Sequence, residues 1–206
     1  MILTGPQIAK NYKDGKILIS PFNEECLNPN SYDVHLDRYL LELDPEYVID
    51  LMNPPDADQD CWRKIDIQDS PYMLLPGHLY LGSTLEKCGS NHYAPMYEGR
   101  SSTGRVGMVS HLSAGFGDIG FASHWTLEIM VSNPTLVHAI SDAGHLRIGQ
   151  VAFFEFNVVD TLHTVLIEGN YTTFERVLES WDEMTYNKCG QYAEQVGPTP
   201  AKKVYK

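Results

Sequence analysis

Three short segments hold the side chains best suited to chemistry: Gly99-Arg100-Ser101-Ser102-Thr103-Gly104-Arg105, Ser113-Ala114-Gly115-Phe116-Gly117-Asp118 and Thr126-Leu127-Glu128. Guanidinium forks grip phosphate oxygens bidentately. Backbone N–H groups and the Ser101 and Ser102 hydroxyls beside Arg100 would complete a compact anion cradle. Arg105 follows four residues on, so both arginines could face one pocket. Glu128 stands alone among strand formers, either solvent-facing or functional; in the second case it is the group that moves protons. The glycine-rich stretch from Ser113 to Phe121 would let a flat ring approach the backbone, with Phe116 or Phe121 stacking on a base or sugar. Together these suit a nucleoside triphosphate with one acid/base group left for chemistry on it. Plainer roles exist for each: Ser-Ser after Gly-Arg makes a turn, Asp118 forms a turn, and either phenylalanine packs in a core.

The elements that must position these groups read as short strands. Thr4, Pro6 and Gly15 bracket a short N-terminal helix as N-cap, first-turn residue and stop. Tyr32, Val34 and Leu36 alternate with Asp33, His35 and Asp37 as a half-buried strand. Residues 44–70 hold many Pro, Asp and Asn and predict a long excursion between strands. Further strands are expected over 72–75, 78–85, 106–112, 124–132, 136–140 and 151–159, with Gly or Pro between them. This regular series predicts an all-β sandwich or closed barrel. The tail from about residue 180 to 206 includes Gly197-Pro198-Thr199-Pro200, which cannot be a regular strand; it is disordered or becomes ordered over a ligand.

Length and composition narrow the class. The 206 residues fit one domain, and 43% of them are hydrophobic, enough for a real core. No apolar run approaches the ~20 residues of a membrane span, and no secretory signal stands at the start, so a soluble cytoplasmic protein is expected. A net charge of -12 argues against general nucleic-acid binding. A phosphorylated ligand would need local cations, for which Arg100, Arg105, Lys188, Lys202 and Lys203 are candidates. Cys26, Cys61, Cys88 and Cys189 form no C-x-x-C pair, and neither the H-x-E nor the P-C-x-x-C element of zinc-dependent base deaminases is present, so neither disulfides nor zinc is expected. His111, His124 and His138 have no metal-ligand spacing and read as structural or surface residues.

The order and spacing of the motifs resemble the dCTP deaminase family of the dUTPase-like superfamily. Pro29-Asn30-Ser31-Tyr32-Asp33-Val34-His35-Leu36 is similar to its P-x-S-x-D-V-R-L strand, and Pro76-Gly77 through Gly82-Ser83-Thr84-Leu85-Glu86 to its P-G-x-x-x-L-G-S-T-x-E segment. Glu98-Gly99-Arg100-Ser101-Ser102 with Arg105, and Thr126-Leu127-Glu128, match its signature and catalytic strand. Tyr192, Gln195 and Gly197 to Pro200 resemble its nucleotide-covering tail.

The resemblance implies a single dUTPase-like domain over 1–206, a distorted β-barrel or jelly roll with a short N-terminal helix and a flexible C-terminal tail. It implies a homotrimer with pockets between subunits, and hydrolytic deamination at C4 of cytosine without a metal-bound hydroxide. By that analogy Glu128 shuttles protons, Ser101 and Arg105 position the water and keep Glu128 in order, and the Ala114 carbonyl helps hold the water. Arg100, Ser102, Tyr192 and Gln195 would hold phosphates bridged by Mg2+, Asp118 would meet the 3′-hydroxyl, and Phe116 would lie against the nucleotide. Ser-Ala-Gly-Phe-Gly-Asp is closer to the bifunctional members, which carry dCTP through to dUMP and pyrophosphate. A dUTPase alone, or a non-catalytic nucleotide-binding regulator, would share the same scaffold. Three departures stand out: Gly117 replaces a β-branched residue and is expected to loosen the loop, Ile119 replaces Pro or Ala, and Gln191 replaces a lysine whose contact is lost or supplied by Lys188.

Overall fold

Short alternating runs can bury one face only by pairing, and every ladder among the described residues is antiparallel. The computed structural model describes residues 1–55, 59–142 and 144–155. In chain order the elements are α1 (Gly5–Lys13), β1 (Leu18–Ser20), β2 (Tyr32–His35), β3 (Tyr39–Leu43), β4 (Trp62–Asp66), β5 (Tyr72–Leu74), β6 (Tyr80–Gly89), β7 (Ala94–Gly99), α2 (Ser101–Arg105), β8 (Met108–Val109), β9 (Ala122–Val131), β10 (Thr135–Val137), β11 (Ile140–Ser141), β12 (Gly144–His145) and β13 (Arg147–Phe154).

The N-terminal helix forms where expected. Thr4 precedes it in extended backbone and its amide donates to Gln7 Oε1 at 2.8 Å, while Gly15 closes it at φ +72°. The larger sheet runs β4-β3-β6-β9-β8, with β1 also on β6. A register shift between Ser83 and Lys87 breaks β6 into halves, so β3 pairs with its start and β1 with its end. The smaller sheet runs β2-β13-β7. Between the two layers Tyr32, Val34, Val151 and Phe153 share a fully buried core with Tyr80, Leu127 and Ile129. Each such side chain contributes on the order of 1.5–3 kcal/mol.

Several boundaries differ from the sequence reading. The excursion over 44–70 contains β4, which pairs with β3 along its full length. Of the strand expected over 106–112, only Met108–Val109 pairs, because α2 and its exit occupy the preceding residues. The strand expected over 136–140 divides into β10 and β11, and β13 starts earlier than expected, at Arg147. β7 was not foreseen: Pro95 disguises it, and a proline is tolerated there because β7 is an edge strand. Among the described residues no helix is long and apolar enough to cross a membrane. Cys26, Cys61 and Cys88 are buried free thiols.

Candidate active site

The Gly-Arg-Ser-Ser segment is a strand exit followed by one helical turn. Gly99 ends β7 opposite Gly149 of β13. Arg100 stays extended and α2 begins at Ser101, with the Thr103 hydroxyl donating to the Arg100 carbonyl at 2.8 Å. Gly107 then turns at φ +82°, a conformation that favours glycine, and its carbonyl accepts from Ser132 N–H at 2.8 Å. This aims β8 along β9, with Met108 opposite Val131 and Val109 opposite Met130. The glycine loop beyond β8 hangs on β7: Tyr97 N–H donates to the Gly115 carbonyl at 2.7 Å and Gly117 N–H to the Pro95 carbonyl at 2.8 Å.

Glu128 lies where these pieces meet. Its side chain is 27% exposed, and Oε2 accepts the amides of Leu112 at 2.9 Å and Ser113 at 3.1 Å. Both bonds fall on one oxygen; Oε1 accepts none among the described residues. The loop thus fixes the carboxylate plane and leaves one oxygen open. Such a group can take a proton from water and return it to a nearby nitrogen.

His111, read from sequence as structural or surface, comes to the same place. Its Nδ1 is 3.9 Å from Glu128 Oε2 and its ring stands edge-on to Tyr97 with centroids 5.3 Å apart. Both ring nitrogens are buried without a hydrogen-bond partner among the described residues. The signal was available only through pairing: carried two residues past Val109, the β8–β9 register sets His111 opposite Glu128. Tyr97, whose hydroxyl donates to Ser110 Oγ at 2.9 Å, backs this arrangement, and burial pushes its phenol well above the ordinary range.

Ser101, Ser102, Arg105 and Ala114 are exposed; Ala114 follows Ser113, whose amide holds Glu128, and Arg105 makes no ion pair among the described residues. Among the described residues the two arginines do not share a partner. Arg100 turns toward β2, with Nη2 3.4 Å from Asp33 Oδ2. Phe116 is 67% exposed, free to meet a flat ring, whereas Phe121 packs on Trp125 with centroids 4.7 Å apart. Asp118 is exposed, and its carbonyl accepts from Phe121 N–H at 2.9 Å in a turn. Gly117 does not loosen the loop: it is buried, and a Cβ there would stand 2.8 Å from both Pro95 Cγ and Trp125 Cη2. Those neighbours fill the space a branched side chain would take. Tyr192, Gln195, Lys188, Gln191, Lys202 and Lys203 lie outside the described residues.

A cleft of about 350 Å³ opens elsewhere, lined by Glu42, Asp44, Asp60, Cys61, Arg63 and His78. It contains none of the expected site residues. Its buried Glu42 carboxylate is already taken by Arg63, Tyr72 and His78.

Two packed antiparallel layers, with a carboxylate strand beside a Gly-Arg-Ser-Ser turn, define an all-β protein of the dUTPase-like fold. The dCTP deaminase-like family model matches residues 2–156, and this chain belongs to that family. A Clostridium beijerinckii protein named "dCTP deaminase, dUMP-forming" is 44% identical over 138 residues, 67% of this chain and 76% of that one. A Leptospira biflexa protein of the same name is 44% identical over 139 residues, 68% of this chain and 76% of that one. Among solved structures, the 2′-deoxycytidine 5′-triphosphate deaminase of Agrobacterium tumefaciens shares the fold at TM-score 0.57 and 16% identity, over 74% of this chain and 46% of that chain.

Proposed function

We propose that this protein deaminates dCTP by hydrolysis at C4 and carries the product on to dUMP and pyrophosphate. The observation that carries the reading is Glu128, half-buried, with Oε2 held by two loop amides and Oε1 open. The names of the relatives supply the substrate and the end product.

In this reading Glu128 takes a proton from the attacking water as the C4–O bond forms, and passes it to N3. The remaining hydroxyl proton moves to the amino group, the C4–N bond breaks, and ammonia leaves behind a C4 carbonyl. Ser101, Arg105 and the Ala114 carbonyl position the water. Arg100 and Ser102, with Tyr192 and Gln195 from the tail, hold phosphates, Asp118 meets the 3′-hydroxyl, and Phe116 covers the nucleotide. The donors on α2 are cations and hydroxyls, which suit phosphate oxygens rather than a metal. Mg2+ therefore belongs on the triphosphate, where it would offset phosphate charge.

We further propose a homotrimer with shared pockets. β8 is the outer strand of its sheet, and Val106, Val109 and Leu112 are exposed on it and beside it. Apolar groups gathered at an open edge suit burial by another copy. Buried free thiols suit a reducing cytoplasm.

Following dCTP and Mg2+ by phosphorus NMR with an ammonia assay tests the reaction. Ammonia, dUMP and pyrophosphate in equal amounts are expected. Accumulating dUTP would limit the enzyme to deamination. Pyrophosphate from dUTP without ammonia from dCTP would make it a dUTPase, and tight dCTP binding without turnover a regulator.

A further inference from the structure

We propose that Arg147 is a second phosphate-binding residue, and that buried Asp33 is the positioning residue that holds Arg147 and Arg100 together as an anion clamp. Strand alternation turns Asp33 away from the core that takes Tyr32 and Val34. Its side chain is nevertheless only 2% exposed. Asn28 Nδ2 donates to Oδ1 at 2.8 Å, while Arg147 Nη1 lies 3.2 Å and Arg100 Nη2 3.4 Å from Oδ2. Two cations therefore converge on a single carboxylate oxygen.

Sheet register explains the convergence. Asp33 pairs with Gln150 and Gln150 with Glu98, while Gly149 pairs with Gly99, the residue before Arg100. β2, β13 and β7 thus bring the carboxylate and both arginines to one end of the small sheet. One guanidinium would balance Asp33; the second leaves a surplus positive charge in a chain of net charge -12. Glu98 is exposed two strands over from Asp33 and pairs with neither arginine among the described residues. Each guanidinium has five N–H donors and gives only part of its fork to Asp33. The Arg100 and Arg147 side chains keep 31% and 37% exposure, so both are within reach of a ligand from solvent. Spare charge and paired forks at one spot match the oxygens of a phosphate chain.

The identification of that chain as a nucleoside triphosphate rests on the proposed function, so the test uses inorganic tripolyphosphate beside dCTP. Calorimetry with tripolyphosphate and steady-state kinetics with dCTP are run on wild type, R147Q, R147K and D33N, each checked by thermal melting. R147Q is expected to weaken tripolyphosphate binding and raise KM for dCTP about tenfold or more, with kcat nearly unchanged. R147K is expected to recover part of the loss, and binding of 2′-deoxycytidine, which has no phosphate, to be unaffected by either. D33N keeps both cations and removes their anchor, so tripolyphosphate affinity should fall. Tighter binding by D33N would show that Asp33 only neutralises and would overturn its positioning role. Should D33N fail to fold, the R147Q and R147K pair decides. R147Q with wild-type tripolyphosphate affinity and KM overturns the clamp even if dCTP is deaminated. Wild type that binds tripolyphosphate but never turns over dCTP instead overturns the proposed function and leaves the clamp standing.

Discussion

A carboxylate held by two amides on one oxygen is a restrained group, and its restraint comes from the backbone rather than from charged neighbours. Glu128 was legible in the sequence because it interrupts a strand of apolar residues beside the Gly-Arg-Ser-Ser signature. The amides that hold it were not, since no side-chain type announces a backbone donor. His111 was hidden for a related reason: its closeness to Glu128 arises from strand register, not from sequence spacing. Two buried ring nitrogens with no partner among the described residues are costly, and a role in the reaction is one physical reason to keep them. His111→Phe keeps a ring against Tyr97 and removes both nitrogens. Thermal melting should show unchanged or raised stability, while kcat on dCTP falls by about tenfold or more. A variant with full activity would make His111 a packing residue.

Among the elements, the glycine loop and β3 show how neighbours decide what a residue does. Gly117 suggests slack when read in isolation, but Pro95 from β7 and Trp125 from β9 occupy the space beside it. Gly117→Val should therefore be destabilising by on the order of 1–3 kcal/mol from overpacking, read as a lowered denaturation midpoint, despite restoring the residue type common in the family. β7 itself escaped the sequence reading because alternation around Pro95 is weak and the strand is defined by pairing with β13.

Glu42 on β3 joins β4, β5 and the turn into β6 through Arg63, Tyr72 and His78. Burial opposes its ionisation, but hydrogen bonds from Arg63, His78 and Tyr80 outweigh that and hold its carboxyl below the ordinary value of 4.5. A lowered native pKa contributes stability that is present above 4.5 and lost as pH falls through the native value. Melting temperature should accordingly drop below about pH 4.5, and Glu42→Gln should show a shallower drop while being less stable at pH 7. An unchanged slope in that variant would remove Glu42 from the acid response.

For the molecule as a whole, the series of short strands made the two-layer architecture legible. The division among the described residues into sheets of six and three strands, with β5–β10 and β11–β12 pairing apart, was not, because it depends on which strands hydrogen-bond and not on sequence spacing. The acidic surface likewise concealed the local surplus of positive charge around Asp33. The exposed apolar edge at β8 is where a trimer would close. Val109→Glu should leave the circular dichroism spectrum intact, shift the mass in light scattering from three chains toward one, and lower activity with it; a variant that remains trimeric would place the interface elsewhere.

The most direct test is Glu128→Gln, which preserves shape and removes the base. Ammonia release from dCTP should fall by roughly 10²–10⁴-fold, while calorimetry shows dCTP bound nearly as tightly as by wild type. Ammonia release at the wild-type rate would contradict the account outright.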